Sequence, residues 1–133
     1  MVQPLRILLA DDSPDILDAV KNELQPDYII AGAVLDAASV LRDVPNLKPD
    51  LVILDISMGD LNGFEITRRL KANKCSSKII FLTVHEEFEF VRAAFDAGAL
   101  GYVFKSRLSS DLRVAIEAVR AGKIFIPEAP IPL

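Results

Sequence analysis

The stretch "LVILD", residues 51–55, decides the fold of this chain. Its first four residues are all apolar, and a short apolar run without polar alternation is typical of a strand that is covered on both faces. Such strands belong to parallel sheets that lie between layers of helices. The run ends at an acid, Asp55. The carboxylate at the end of this buried strand therefore requires an explanation.

Other apolar runs before and after this stretch predict further strands. In chain order the predicted strands are "RILLA" (6–10), "YIIAGAVL" (28–35), "LVILD" (51–55), "KIIFLTV" (78–84) and "GYVFK" (101–105). Segments with the spacing of amphipathic helices separate them. This alternation favours right-handed crossovers and an open parallel sheet with helices on both faces.

Capping residues predict where the helices begin and end. They are Ser13 and Pro14 at the start of the first helix, Asn62 with Glu65 as a capping box for the third, Gly98 after the fourth, Ser109 or Ser110 before the fifth, and Gly122 after it. We expect the second helix at about 37–44, ending before Pro45, and the fourth at about 86–97.

Composition favours a single cytoplasmic domain with one core. The chain has 133 residues, of which 51% are hydrophobic, and a net charge of −4. That charge argues against nucleic acid or an anionic membrane as the main partner of the chain. Cys75 is the only cysteine, as is common in a reducing compartment. Neither a signal peptide nor a membrane-spanning run is apparent.

The last residues differ from the rest of the chain. The segment "KIFIPEAPIPL" (123–133) carries Pro127, Pro130 and Pro132, which favour an extended conformation. We therefore assign residues 1–122 to the domain and residues 123–133 to a proline-rich linker or tail.

Charged and polar residues are expected to meet at one edge of the sheet, because ligands of such sheets bind beyond the carboxyl ends of the strands. The predicted strands run into Asp11 and Asp12, Asp55, Thr83 and Lys105. Neighbouring carboxylates repel one another, and Mg²⁺ relieves that repulsion and is often shared with a phosphate group. The cluster predicts a Mg²⁺-assisted phosphoryl site in which an aspartate is the nucleophile.

The chain resembles the receiver domain of two-component response regulators over residues 5 to about 122, most closely the NarL/FixJ (LuxR-type) branch. The motifs that carry the resemblance are "ADDSP" (10–14), "LDISM" (54–58), "NG" (62–63), "LTV" (82–84) and "GALGYVFK" (98–105). The resemblance implies a flavodoxin-like (βα)5 fold of three layers with strand order 2-1-3-4-5.

The resemblance also implies roles for the metal-binding residues. Asp55 accepts the phosphoryl group and contributes to binding Mg²⁺. Asp12 binds the ion directly, Asp11 binds it through water, and the backbone carbonyl of Ser57 completes the protein's share of the ligands.

A second set of implied roles concerns the response to phosphorylation. Thr83 donates a hydrogen bond to the phosphoryl group, and Lys105 forms an ion pair with it. Tyr102 is the aromatic residue whose inward or outward rotamer follows the state of Thr83. Self-catalysed phosphorylation and dephosphorylation are left open, but an enzyme with a separate substrate is not expected.

Partners follow from the same resemblance. The phosphoryl donor is a sensor histidine kinase or a phosphotransfer protein. A homodimer through the face of helix 4, strand 5 and helix 5 is one possibility. Members of this branch continue into a helix-turn-helix domain that controls transcription, and this chain does not contain one, so no direct binding of nucleic acid is expected.

The chain departs from the family at Gly59 and Ser106, where many receivers have proline. At Gly59 we expect proline to be tolerated, so that Gly59→Pro raises the melting temperature. Because a cis bond before a non-proline residue costs about 3–4 kcal/mol, the Lys105–Ser106 bond is expected to be trans.

Three other functions remain open. The first is a receiver-like interaction module that does not switch. The second is an aspartyl-phosphate phosphatase of the haloacid dehalogenase type, although its acids would be spaced Asp-x-Asp. The third is a flavin carrier, although "DDSPD" (11–15) would repel a bound phosphate.

Other single residues have modest predictions. Phe88 and Phe90 lie two apart on a helix, so both cannot face one core, and one is expected to be exposed. His85 is interpreted as a polar loop residue at the rim of the site, and Cys75 as inert.

Overall fold

The computed structural model describes residues 3–128, and the stretch 51–54 is the middle strand of its five-stranded parallel sheet. The strands are β1 (Arg6–Ala10), β2 (Ile29–Val34), β3 (Leu51–Leu54), β4 (Lys78–Thr83) and β5 (Gly101–Phe104). Their order is β2-β1-β3-β4-β5, and every pairing is parallel. This confirms the predicted order 2-1-3-4-5 and the flavodoxin-like architecture.

Helices cover both faces of the sheet. They are α1 (Pro14–Leu24), α2 (Ala37–Leu47), α3 (Gly63–Ala72), α4 (Phe88–Ala97) and α5 (Leu108–Arg120). Buried residues of α2, α3 and α4 pack on one face, and those of α1 and α5 pack on the other. Strand residues alternate between the two cores: Leu8 joins the first and Ile7 the second. Both faces are apolar, which explains the unbroken apolar runs in the sequence.

The helix caps confirm part of the sequence prediction. Ser13 accepts a hydrogen bond from the Ile16 N–H, and Asn62 accepts one from the Glu65 N–H. A capping box also requires the Glu65 carboxylate to accept a hydrogen bond from the Asn62 N–H. That carboxylate pairs with Arg68 and Arg69 instead.

Three helix boundaries differ from those predicted. Helix α2 continues to Leu47 with Pro45 inside it, so this proline does not end the helix. Helix α4 begins at Phe88 rather than 86. A 3₁₀ turn at Lys105–Arg107 leads directly into α5. Ser109 and Ser110 therefore lie inside the first turn of α5 and do not cap it.

Described residues after α5 form no helix and lie beside the sheet. The Phe125 N–H donates to the Leu100 carbonyl at 2.9 Å, and the Tyr102 N–H donates to the Phe125 carbonyl at 3.2 Å. Pro130 and Pro132 lie outside the described residues, so the interpretation of 123–133 as a linker stays a prediction. Within residues 3–128, no helix combines the length and apolar character that crossing a bilayer requires.

Gly59 lies in a tight hairpin between β3 and α3. Ser57–Met58 pairs antiparallel with Leu61–Asn62, which leaves Gly59 and Asp60 as the two turn residues. Gly59 has φ +84°, and a positive φ at the first central position is typical of a type II′ hairpin turn. Proline is restricted to φ near −65°. The expectation that proline is tolerated at position 59 is therefore wrong.

We predict that Gly59→Pro lowers the free energy of unfolding by more than about 1 kcal/mol, because its ring cannot adopt the native φ. Thermal unfolding measures the effect. Asp60→Ala is the matched control, because Asp60 is the other turn residue of this hairpin, is exposed and does not have a positive φ. Equal melting temperatures for the two variants would contradict the turn assignment.

Candidate functional site

The sheet brings Asp11 and Asp55 together at its carboxyl edge. They follow the adjacent strands β1 and β3, and the Asp55 N–H donates to the Ala10 carbonyl at 3.1 Å. Both residues are buried, with 3% and 4% of their surface exposed. Two neighbouring carboxylates out of water require a compensating positive charge.

Lys105 provides that charge from the end of β5. Its Nζ lies 2.9 Å from Oδ2 of Asp11 and 2.9 Å from Oδ2 of Asp55. The remaining carboxylate oxygens accept backbone hydrogen bonds, from the Ser13 N–H to Asp11 and from the Ile56 N–H to Asp55. The site is therefore a partly buried triad of two acids and one lysine.

Titration of the triad follows from burial and pairing. Burial raises the pKa of Asp11, although its hydrogen bond with Lys105 acts in the opposite direction. Burial acts to lower the pKa of Lys105, but the hydrogen bonds and charge attraction that its ammonium makes with Asp55 and Asp11 outweigh burial and raise that pKa overall. Lys105 therefore stays charged at neutral pH.

Asp12 completes a carboxylate group that fits a divalent metal ion. One oxygen from each of Asp11, Asp12 and Asp55 lies within 4.8 Å of the others, and Asp12 is exposed. Oxygen ligands with one side open to water suit Mg²⁺, which retains several waters in protein sites. Ser57, the fourth predicted ligand, is exposed in the adjacent hairpin, and the role of its carbonyl stays a prediction.

Gly63 allows helix α3 to pack directly on the backbone of Asp55. A Cβ on Gly63 would overlap the Asp55 carbonyl oxygen and the ring of Phe81. The Gly63 N–H also donates to the Ile56 carbonyl at 2.7 Å. The glycine of the "NG" motif is thus explained by close approach, which fixes the backbone on both sides of Asp55.

Thr83 and Tyr102 meet at the backbone of His85 rather than at the triad. The His85 N–H donates to Oγ1 of Thr83 at 3.4 Å, and the Tyr102 hydroxyl donates to the His85 carbonyl at 2.7 Å. Tyr102 is fully buried, so its ring is in the inward rotamer. Burial raises the pKa of that hydroxyl, which keeps it protonated as a donor.

This backbone role of His85 does not follow from sequence reasoning, which gave the residue only a place at the rim. Its ring stacks on Phe90 with centroids 4.3 Å apart. Phe90 packs against the first core, whereas Phe88 is 70% exposed, so the prediction that one of the two phenylalanines is exposed is confirmed. The only advance signal for His85 was its position two residues after Thr83.

Comparison with known proteins identifies the family. Residues 7–117 match the model of the response regulator receiver domain. The chain belongs to this family. The receiver domain is 32% identical to the nitrate/nitrite response regulator protein NarL of Escherichia coli over 133 positions, which cover 98% of this chain and 62% of NarL.

Solved structures of receiver domains agree with this fold. A LuxR-family response regulator from Aurantimonas sp. superposes with a TM-score of 0.88 at 32% identity, covering 93% of this chain and 90% of that one. The receiver domain of RcsB from Salmonella enterica, solved with phosphomimetic BeF3⁻, gives 0.87 at 28% identity, covering 95% of both chains. This receiver domain spans about three fifths of the length of curated relatives such as NarL and EvgA.

We predict that Asp11→Asn stabilises the metal-free protein at pH 7. The pKa of Asp11 is raised in the folded protein above its ordinary value of 3.8, so the folded state holds this proton more tightly than the unfolded state. Ionised Asp11 therefore costs stability as pH rises through the folded pKa, and the cost disappears below 3.8.

Denaturant unfolding from pH 3 to pH 8 checks this, with Asp12→Asn as the control because Asp12 is exposed in the same loop. The gain for Asp11→Asn should shrink as pH falls. A gain that is independent of pH, or one that is shared by Asp12→Asn, would contradict the assignment.

Proposed function

We propose that this receiver domain takes a phosphoryl group from a phosphohistidine onto Asp55, in a reaction that depends on Mg²⁺. The observation that carries the proposal is the position of Asp55 directly after the central strand. In the strand order, the acids after β1 lie on one side of it and Thr83 of β4 lies on the other, while Lys105, which follows β5, contacts both Asp55 and Asp11. Asp55 is thus between residues suited to bind a cation and residues suited to bind phosphoryl oxygens.

The transfer is a displacement at phosphorus. An oxygen of Asp55 forms the new P–O bond as the P–N bond of the phosphohistidine breaks, and the electron pair of that bond remains on the imidazole. Asp11, Asp12, Asp55 and the Ser57 carbonyl would hold a Mg²⁺ ion, which would neutralise charge on the phosphoryl oxygens. Lys105, already 2.9 Å from Asp55, is placed to pair with one of those oxygens.

The response to phosphorylation begins at Thr83. Its hydroxyl now accepts a weak hydrogen bond from His85, and the same hydroxyl can donate to a phosphoryl oxygen. Because the Tyr102 hydroxyl binds the carbonyl of His85, movement of Thr83 is passed to the loop after β4 and to the inward ring of Tyr102. Phosphorylation thereby biases a surface between two states.

Partners and output belong to the same proposal. A sensor histidine kinase or phosphotransfer protein is the donor, and the face of α4, β5 and α5 is the site of homodimerisation. Control of transcription would require a DNA-binding domain. We expect such a domain where a receiver domain of this kind is part of a longer protein, as it is in the relatives. We expect a cytoplasmic location from the single cysteine. In this proposal the protein is a phosphoacceptor and not an enzyme with a separate substrate.

We predict that acetyl phosphate with Mg²⁺ adds the mass of one phosphoryl group to the intact chain. Asp55→Asn should abolish the adduct because it removes the nucleophilic oxygen, and chelation of Mg²⁺ should do the same. Asp60→Asn is the matched control, because Asp60 is an exposed acid in the hairpin next to the site. Intact-protein mass spectrometry gives the readout.

Retention of the adduct in Asp55→Asn would contradict the assignment of the acceptor. Absence of an adduct on the unchanged chain with every donor tried would favour the alternative, a non-switching module that acts through protein–protein contacts. Turnover of phosphate esters, or binding of a flavin, would instead favour the phosphatase or flavin-carrier alternatives.

A further inference from the structure

Residues 123–128, here called the strap, continue the sheet beyond its edge strand. Phe125 forms a parallel bridge with Gly101 of β5. Its N–H and carbonyl bind the Leu100 carbonyl and the Tyr102 N–H. The outer side of β5 would otherwise present unpaired backbone groups to water.

Burial along the strap alternates as it does in a strand. Phe125 is half-buried and Pro127 is buried, whereas Ile124 and Ile126 are 55% and 60% exposed. Phe125 is paired with Gly101, so the Phe125 side chain lies on the face of the sheet where Gly101 has no side chain. The Phe125 ring packs on the core beside α5, so the strap is held by side-chain packing as well as by backbone bonds.

The direction of the strap brings the chain back to the functional edge. Helix α5 carries the chain away from Lys105, and the parallel strap carries it back along β5. Its last described residue, Glu128, lies near the turn that follows Lys105. Arg107 lies in that turn, and its pKa reflects this proximity. The hydrogen bond with Asp111 raises the pKa of Arg107 most, and the negative charge of Glu128 raises it further.

We propose that the strap is a coupling element that links the state of the phosphoacceptor site to the chain beyond Glu128. Tyr102 connects the two: its backbone N–H holds the strap, and its hydroxyl holds the loop after Thr83. The inward ring and the docked strap occur together in this structure, and each restrains the same residue of β5. Docking of the strap and the inward state of Tyr102 therefore stabilise one another.

This inference rests on the proposed function, because the site acts on Tyr102 through Thr83. Coupling between two sites is reciprocal. A ligand that favours the inward state must tighten the strap, and loosening the strap must weaken that ligand. In a longer protein of the kind seen among the relatives, the strap would be the first part of the connection to the next domain.

Amide exchange of the full chain, followed by NMR, tests the proposal. Phe125→Ala removes the half-buried ring, and Ile126→Ala is the matched control because Ile126 is its exposed neighbour. We expect Phe125→Ala to speed exchange of the Tyr102 N–H about tenfold and Ile126→Ala to change it less than about twofold. Amides that join β5 to β4 serve as the reference for global unfolding.

Beryllofluoride with Mg²⁺ provides the second half of the test. It should slow exchange of the Tyr102 and Phe125 amides in the unchanged chain, and Phe125→Ala should bind it several-fold more weakly. The proposal is overturned if the Tyr102 amide is unprotected, if the two alanine variants behave alike, or if beryllofluoride binds without changing exchange at either amide.

Failure of beryllofluoride to bind would count against the proposed function and is distinguishable from failure of the strap. In that case Tyr102→Leu tests the coupling, because it removes the hydroxyl contact to His85. We expect it to speed exchange of the Phe125 N–H, and unchanged exchange would overturn the coupling.

Discussion

The structure of this site depends on the ion pairs between Lys105 and two buried carboxylates, Asp11 and Asp55. Neither acid is stable in a buried position without a positive partner, and the lysine reaches both at 2.9 Å. The parallel sheet makes this possible because it delivers the ends of β1, β3 and β5 to one edge. The apolar residues of β3 therefore serve to hold one acid in place, and this explains the sequence "LVILD".

Much of the fold and the membership of the site could be predicted from the sequence. Apolar runs, helix spacing and the caps at Ser13 and Asn62 are local signals, and each corresponds to a local hydrogen bond or a buried face. The acids and the lysine could be placed together because parallel strands share a carboxyl edge. Their roles in phosphoryl transfer came from the resemblance and remain proposals.

Features that depend on backbone geometry or on tertiary pairing were missed. The positive φ of Gly59 arises from pairing across a hairpin two residues long. The early start of α5 arises from the turn that positions Lys105. The role of His85 is carried by its backbone, which no side-chain pattern reveals. The pairing of Phe125 with β5 joins residues 24 positions apart, between Gly101 and Phe125.

Stabilisation by Mg²⁺ tests the central claim, that the carboxylates at the sheet edge form a metal-dependent site, most directly. The melting temperature is followed against Mg²⁺ concentration for the unchanged chain and for the double variant Asp11→Asn, Asp12→Asn. The ion should raise the melting temperature of the unchanged chain progressively, because it binds only the folded site, and should leave the double variant unaffected. An equal rise in both proteins, or no rise in the unchanged chain, would contradict the account.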